Sequence, residues 1–218
     1  MMRRDGHRTW QWNGLSALLM SALLVLGGCA GSGKVENLDI NVRPMPQEIA
    51  PDETIKIVVE AFHDQRPDQT RLGYRSHLGG GVTNFSVPGN KPGETVAETL
   101  ADFLRHKGWQ VGVQKPGLTA AEGRTDILLT GSIRELWATA KSRFFSTKMD
   151  VKTSLVVKAQ NMVDGSTTSL TLDGAASDSV LFFTPTKLQE LTNSALKDSF
   201  QKLMSDTRVE NRAWRLRE

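Results

Sequence analysis

Leu26-Gly27-Gly28-Cys29 places the only cysteine of the 218-residue chain directly behind an apolar run and two small residues. A thiol in that setting is suited to one chemistry above others. It forms a thioether to a diacylglycerol, and cleavage between Gly28 and Cys29 then frees an amine that is acylated in turn. The flanking residues agree. Arg3, Arg4 and Arg8 make a basic start, and residues 15–26 form an apolar run of twelve, too short to cross a hydrocarbon layer of about 30 Å as a helix. Asp5-Gly6-His7 follows the arginine pair where hydrophobic residues would mark twin-arginine export, so ordinary secretion is expected. A buried or unpaired structural thiol is the weaker reading of Cys29. Ala30 in place of an aspartate after the cysteine points to the outer membrane, with the domain on its periplasmic face.

Other residues also carry chemical potential. His63, His77 and His106 raise the possibility of a Ser-His-Asp hydrolase, but no G-x-S-x-G elbow accompanies them. His63, Asp64, Asp68 and His77 would converge on a metal only if their segment folded back on itself; solvated loop charges are the ordinary case, and neither metal nor cofactor is expected. Gly31-Ser32-Gly33-Lys34 superficially suggests a phosphate loop, yet Val35 stands where Ser or Thr is needed. Asp64 and Arg66 admit two readings, a turn-capping carboxylate with a structurally paired guanidinium or a contact site, of which the first is favoured. Trp109, Trp137, Phe144 and Phe145 would suit a glycan groove, although at strand spacing aromatics more often cover a sheet.

One stretch combines several binding chemistries. Residues 63–91 make a connection far longer than the usual four to six or so. Asp64, Arg66, Arg71 and Arg75 offer charge-assisted hydrogen bonds, and Tyr74 and Phe85 offer rigid anchors. These six are the candidate partner-binding residues, with an unconstrained insertion as the alternative.

The elements that must position them follow from periodicity. Without residues 1–28 the formal charge falls from +3 to +1, three arginines and one aspartate being lost, so the basic balance gives no support for nucleic-acid binding. Four regions are expected: a signal peptide over 1–28, a lipidated cysteine and flexible tether over 29–51, one periplasmic domain over 52–207, and a solvated tail over 208–218 carrying Arg208, Arg212, Arg215 and Arg217 around Trp214. Within the tether, 35–42 has the spacing of a short edge strand. Ile55, Ile57, Val58 and Val59 predict a central strand over 54–62. Partial alternation suggests a hairpin between 71–76 and 82–87. Val96, Leu100, Phe103 and Leu104 predict a helix over 94–107 stopped by Gly108, followed by a short strand at 109–113. Residues 126–140, 148–160 and 166–176 alternate as long strands, with Ile127, Leu129, Gly131, Ile133 and Trp137 on one side of the first, and Asp164-Gly165 turning the last two. Thr184-Pro185 opens a closing helix. The order β-α-β-β-β-β-α implies an α/β (α+β) single domain, mostly antiparallel, with two helices packed on one face.

The lipobox, the Phe62-His63-Asp64-Gln65-Arg66 turn, the helix closing at Gly108, the Asp164-Gly165 hairpin and the closing helix together resemble the YajG-like lipoproteins of Gram-negative bacteria. More distantly, the element order is similar to periplasmic domains of lipoproteins that activate peptidoglycan synthases or form the curli secretion channel. The resemblance implies an accessory role in envelope biogenesis and supplies no catalytic residues. The expected function is therefore a non-catalytic binding or assembly module, anchored in the outer membrane through Cys29 and meeting an envelope protein partner. An oligomeric component of an export or transport complex, and a periplasmic hydrolase, are the alternatives.

Overall fold

A computed structural model describes residues 33–43, 55–114 and 125–217. Cys29 and Gly28 lie outside the described residues, as do the signal segment and part of the tether.

The near-continuous apolar run at 55–59 forms β2 (Lys56–Glu60), with Ile57 and Val59 buried, and it pairs in parallel on both edges. Helix α1 (Pro92–His106) buries Val96, Leu100, Phe103 and Leu104 completely. Its end is set by Gly108, whose φ of +93° is a left-handed conformation that costs glycine nothing; Trp109 N–H then donates to the Leu104 carbonyl at 3.1 Å. The chain returns as β6 (Gln110–Gln114) beside β2, completing the expected crossover unit. β7 (Ile127–Ser142), β8 (Thr147–Asn161) and β9 (Thr167–Val180) form a long antiparallel meander. Helix α2 (Pro185–Asp206) starts as expected, Thr184 Oγ1 accepting from Lys187 N–H at 3.2 Å. Both helices pack on one face, where Phe103 of α1 meets Phe200 of α2 with ring centres 5.4 Å apart. The chain is thus a single α/β domain around a curled sheet.

β7 is the spine of that sheet. β8 runs along one edge, while three short strands lie end to end along the other, all parallel to β7: β2, β3 (His63–Asp64) and β4 (Gly73–Ser76). β5 (Val82–Ser86) then pairs antiparallel with β4, as the alternation suggested, and β1 (Lys34–Asn37) pairs parallel with β5 at the border.

Four expectations need correction. Residues 63–91 are not one long connection, because their length is taken up by β3, β4, β5 and a 3-10 turn at Pro88–Asn90. The tether is shorter than 29–51: β1 is hydrogen-bonded into the sheet, and Leu38, Ile40 and Val42 are buried against the helices and sheet. The solvated tail is instead a hairpin of β10 (Thr207–Glu210) and β11 (Ala213–Leu216), with Trp214 only 1% exposed. Finally, Trp137 does not share a side with Ile133. A bulge between Ile133 and Glu135 shifts the register by a residue, so Leu136, Ala138 and Ala140 face the core and Trp137 turns to the open face.

Candidate functional site

Arg66 is turned inward and buried. Its side chain is 2% exposed, and its Nε and Nη2 donate to the two carboxylate oxygens of Asp64 at 2.9 and 2.8 Å. Nη1 donates to the Arg71 carbonyl at 2.8 Å and to the Leu136 carbonyl at 3.4 Å. A buried guanidinium needs this full set of acceptors, and the effect is to tie the 64–71 segment across the β7 bulge. Burial raises the Asp64 carboxyl, but hydrogen bonds and charge from Arg66, with a smaller contribution from His63, more than reverse that and hold it below the usual carboxylate range. This arrangement fits the structural reading of the pair.

Phe85 is also removed from the candidates. It is fully buried, in contact with Phe183 at 6.2 Å between ring centres, within a second apolar cluster that includes Leu38, Met149 and Leu188. Arg75 lies at the same end of the sheet, its guanidinium 4.2 Å from the Phe183 ring centre and its Nε donating to Ser142 Oγ at 3.1 Å. Burial lowers the pKa of Arg75, partly offset by the charge of Glu36.

Arg71 and Tyr74 remain, and Trp137 joins them. The Arg71 guanidinium lies 5.5 Å from the Tyr74 ring centre and 5.7 Å from that of Trp137, the two rings meeting edge to face at 6.3 Å. Asp68 accepts from Arg71 Nε at 2.8 Å, and Asn84 Oδ1 accepts from Nη1 at 2.9 Å, so the cation is held in place. Thr70, through its hydroxyl and N–H, and then Arg71 keep the Asp68 carboxyl low. All three side chains are half-buried on the sheet face opposite the helices. Beside them a cavity of about 410 Å³ is lined by Pro67, Asp68, Arg134, Glu135 and Trp137, with Arg66 and Leu136 at its floor. Sequence reasoning missed the participation of Trp137 because the bulge that redirects it has no local signature.

The remaining chemistry is dispersed. His77 Nε2 bonds Thr83 Oγ1 at 2.9 Å, His106 Nδ1 bonds the Asp102 carbonyl at 2.7 Å, and His63 sits on β3. Among the described residues no group of His, Cys, Asp or Glu is arranged to hold a metal ion, and no helix is long and apolar enough to cross a membrane. The terminal arginines are structural partners. Arg212 pairs with buried Asp126 at 2.8 Å, Arg215 with Asp164, Arg208 with Glu210 at 3.1 Å, and Arg217 Nε donates to the Thr207 carbonyl at 2.8 Å. Fully buried Asn161 clamps the same hairpin, accepting from Trp214 N–H at 2.7 Å and donating to its carbonyl at 3.1 Å.

No protein-family model and no curated protein matches the chain. Among solved structures it is similar to a Xanthomonas campestris protein described under the family designation DUF330, with 11% identity over 78% of this chain and 92% of that one and a TM-score of 0.49. It is also similar to a Helicobacter pylori homologue of neuraminyllactose-binding hemagglutinin, with 9% identity over 75% of this chain and 90% of that one and a TM-score of 0.41. A lipoprotein from Neisseria meningitidis matches at 15% identity over 63% of this chain and 92% of that one, with a TM-score of 0.33. These are likenesses of chain trace, and no residue role passes from them to this chain.

Proposed function

We propose that this chain is a lipid-anchored envelope protein, held at the periplasmic face of the outer membrane by Cys29, whose domain is a non-catalytic binding or assembly module for another envelope protein. The observation that carries the binding role is the Arg71, Tyr74 and Trp137 shelf beside the bulge cavity. Arginine, tyrosine and tryptophan are the residue types most enriched at the energetic centres of protein interfaces. Here the cation is already fixed by Asp68 and Asn84, so docking a partner costs it little further freedom. The YajG-like resemblance of the sequence supports the envelope setting, and the lipobox supports the anchor.

Crosslinking in intact envelopes tests the binding role. The combined Arg71→Ala and Trp137→Ala chain is expected to stay folded and membrane-bound while its crosslinked partner band disappears. An unchanged set of partners at undiminished yield overturns the assignment of the shelf. Cys29→Ser tests the anchor: the expected product is a released or unprocessed chain, and recovery of processed, membrane-bound protein from that variant refutes lipidation. Fractionation with the inner membrane contradicts the outer-membrane placement.

A further inference from the structure

Register brings three turns of the chain to one end of the sheet. Ser76 lies opposite Lys141, Ser142 opposite Thr147, and Thr147 opposite Val180, so β4, β7, β8 and β9 all stop at the same level. The turns beyond them, 77–81, 143–146 and 181–184, are therefore neighbours. Each carries large apolar side chains into solvent: Leu78, Phe144 at 83% exposure, Phe145 at 86%, Leu181 at 75% and Phe182 at 86%. Leu78, Phe144, Leu181 and Phe182 line a common groove of about 370 Å³ with Arg75 and Arg143. A soluble surface seldom gathers this much exposed aromatic area without covering it.

The course of the chain identifies the cover. Gly33 N–H donates to the Val82 carbonyl at 3.3 Å, and Lys34 lies opposite Thr83. The N-terminal segment thus leaves the domain at this same end, beside the 77–81 turn. Cys29 is four residues before Gly33, and four residues reach at most about 14 Å in any conformation. A lipid on Cys29 consequently holds this end, and no other, against the bilayer. The charges fit an anionic surface. Lys34, Arg75, Lys141, Arg143 and Lys148 lie at this end against three acids, Glu36, Asp150 and Asp178; Glu36 pairs with Lys34 at 2.7 Å and Asp150 with Lys148 at 3.0 Å, and Asp178 lies opposite Met149 on β9, so the balance of the end is basic.

We propose that the Phe144-Phe145 and Leu181-Phe182 turns, with Leu78, insert into the lipid interface next to the anchor and fix the domain upright on the membrane. Exposed aromatics beside basic side chains suit that depth, where rings sit among headgroups and cations meet phosphates. This docking rests on the lipidation of Cys29. It deepens that reading by turning a flexible attachment into an oriented one, with the shelf of Arg71, Tyr74 and Trp137 on the flank of the standing domain.

The test uses the full, processed chain in vesicles of phosphatidylethanolamine and phosphatidylglycerol that contain brominated lipid. Phe145→Trp places a fluorophore at the tip, and Met162→Trp places one in the exposed turn at the other end of β8, a strand of 15 residues, about 50 Å along. With the wild-type emission subtracted, the Phe145→Trp signal is expected to be lost to bromine while that of Met162→Trp is unchanged. A chain that does not float with the vesicles overturns the anchor and this docking together. A chain that floats with Phe145→Trp unquenched, or quenched no more than Met162→Trp, overturns the docking alone. If that chain also gains mass with concentration and Phe145→Ser abolishes the gain, the patch belongs to a second copy instead.

Discussion

Replacing Trp214 with alanine separates a solvated tail from a hairpin that completes the core. The side chain is 1% exposed, stacks on Trp109 with ring centres 6.0 Å apart, and belongs to the main cluster with Leu196, Phe200 and Leu203. Truncating a buried tryptophan costs about 3 to 5 kcal/mol. At a urea dependence of about 2 kcal/mol per molar, the midpoint should fall by roughly 1.5 to 2.5 M. Backbone bonds to Asn161 and Thr168 survive the substitution, so the loss reports packing alone. Trp214→Phe is expected to be milder than its lost volume suggests. The buried indole N–H of Trp214 has no hydrogen-bond partner among the described residues, and an unpaired buried donor costs about 1 to 3 kcal/mol that phenylalanine avoids. Arg208→Ala serves as the control, because its pair with Glu210 is solvent-exposed and such pairs contribute about 0 to 1 kcal/mol. Chemical denaturation followed by far-ultraviolet circular dichroism reads all three. A Trp214→Ala midpoint within about 0.3 M of wild type, the range of an ordinary surface change, refutes the packed hairpin.

Three further outcomes are expected. Asp64→Asn strands the Arg66 charge, whose side chain is 2% exposed, and should cost about 3 to 5 kcal/mol at neutral pH; because the Asp64 carboxyl is depressed on folding, that difference should shrink as the pH drops below about 4. Gly174→Ala should destabilise by about 1 to 3 kcal/mol in urea, since a β-carbon there would sit 2.0 Å from the Ala195 carbonyl oxygen and 2.7 Å from Ser199 Oγ and Thr153 Oγ1, forcing α2 off β9. The Asp164 carboxyl is held at about 2 by the Ser166 hydroxyl and N–H and then by Arg215. Its folded value lies below the unfolded value of about 3.9, so the stability it contributes is in place above about pH 4 and is lost as the pH falls toward 2. Carboxyl NMR titration should show Arg215→Ala raising Asp164 only part of the way, because the bonds from Ser166 remain.

The elements that local pattern dictates were legible. Val96, Leu100, Phe103 and Leu104 mark one face of α1 at helical spacing, and Met149, Val151, Leu155 and Val157 mark one face of β8 at spacing two; all are buried. What escaped depends on partners distant in sequence. Arg212 and Arg215 look solvated next to one another in the sequence, but their carboxylates are Asp126 and Asp164, 86 and 51 residues away. Trp137 changes sides because one residue is inserted at the bulge, and alternation has no means of announcing an insertion. In the candidate site, Arg71 and Tyr74 lie half-buried as their types suggested, and the hydrogen bonds of Arg66 fit the structural reading favoured from the sequence, whereas the burial of Phe85 escaped, because type alone does not distinguish an aromatic side chain that faces inward.

The way β1 enters the sheet also sets how the domain resists being pulled. It runs from Lys34 away from the aromatic end, parallel to β5, and the following residues are fastened to both helices: Asp39 N–H to Gln189 Oε1 and Asn41 N–H to Asn193 Oδ1 at 3.0 Å each, and the Ile40 carbonyl to Thr99 Oγ1 at 3.4 Å. Tension applied through the N-terminus acts along β1, so it loads the β1–β5 bonds in shear and all at once, instead of peeling them one after another. Residues 34–42 thus act as a mechanical plug, and a force great enough to draw them out would take Leu38, Ile40 and Val42 from the core with them.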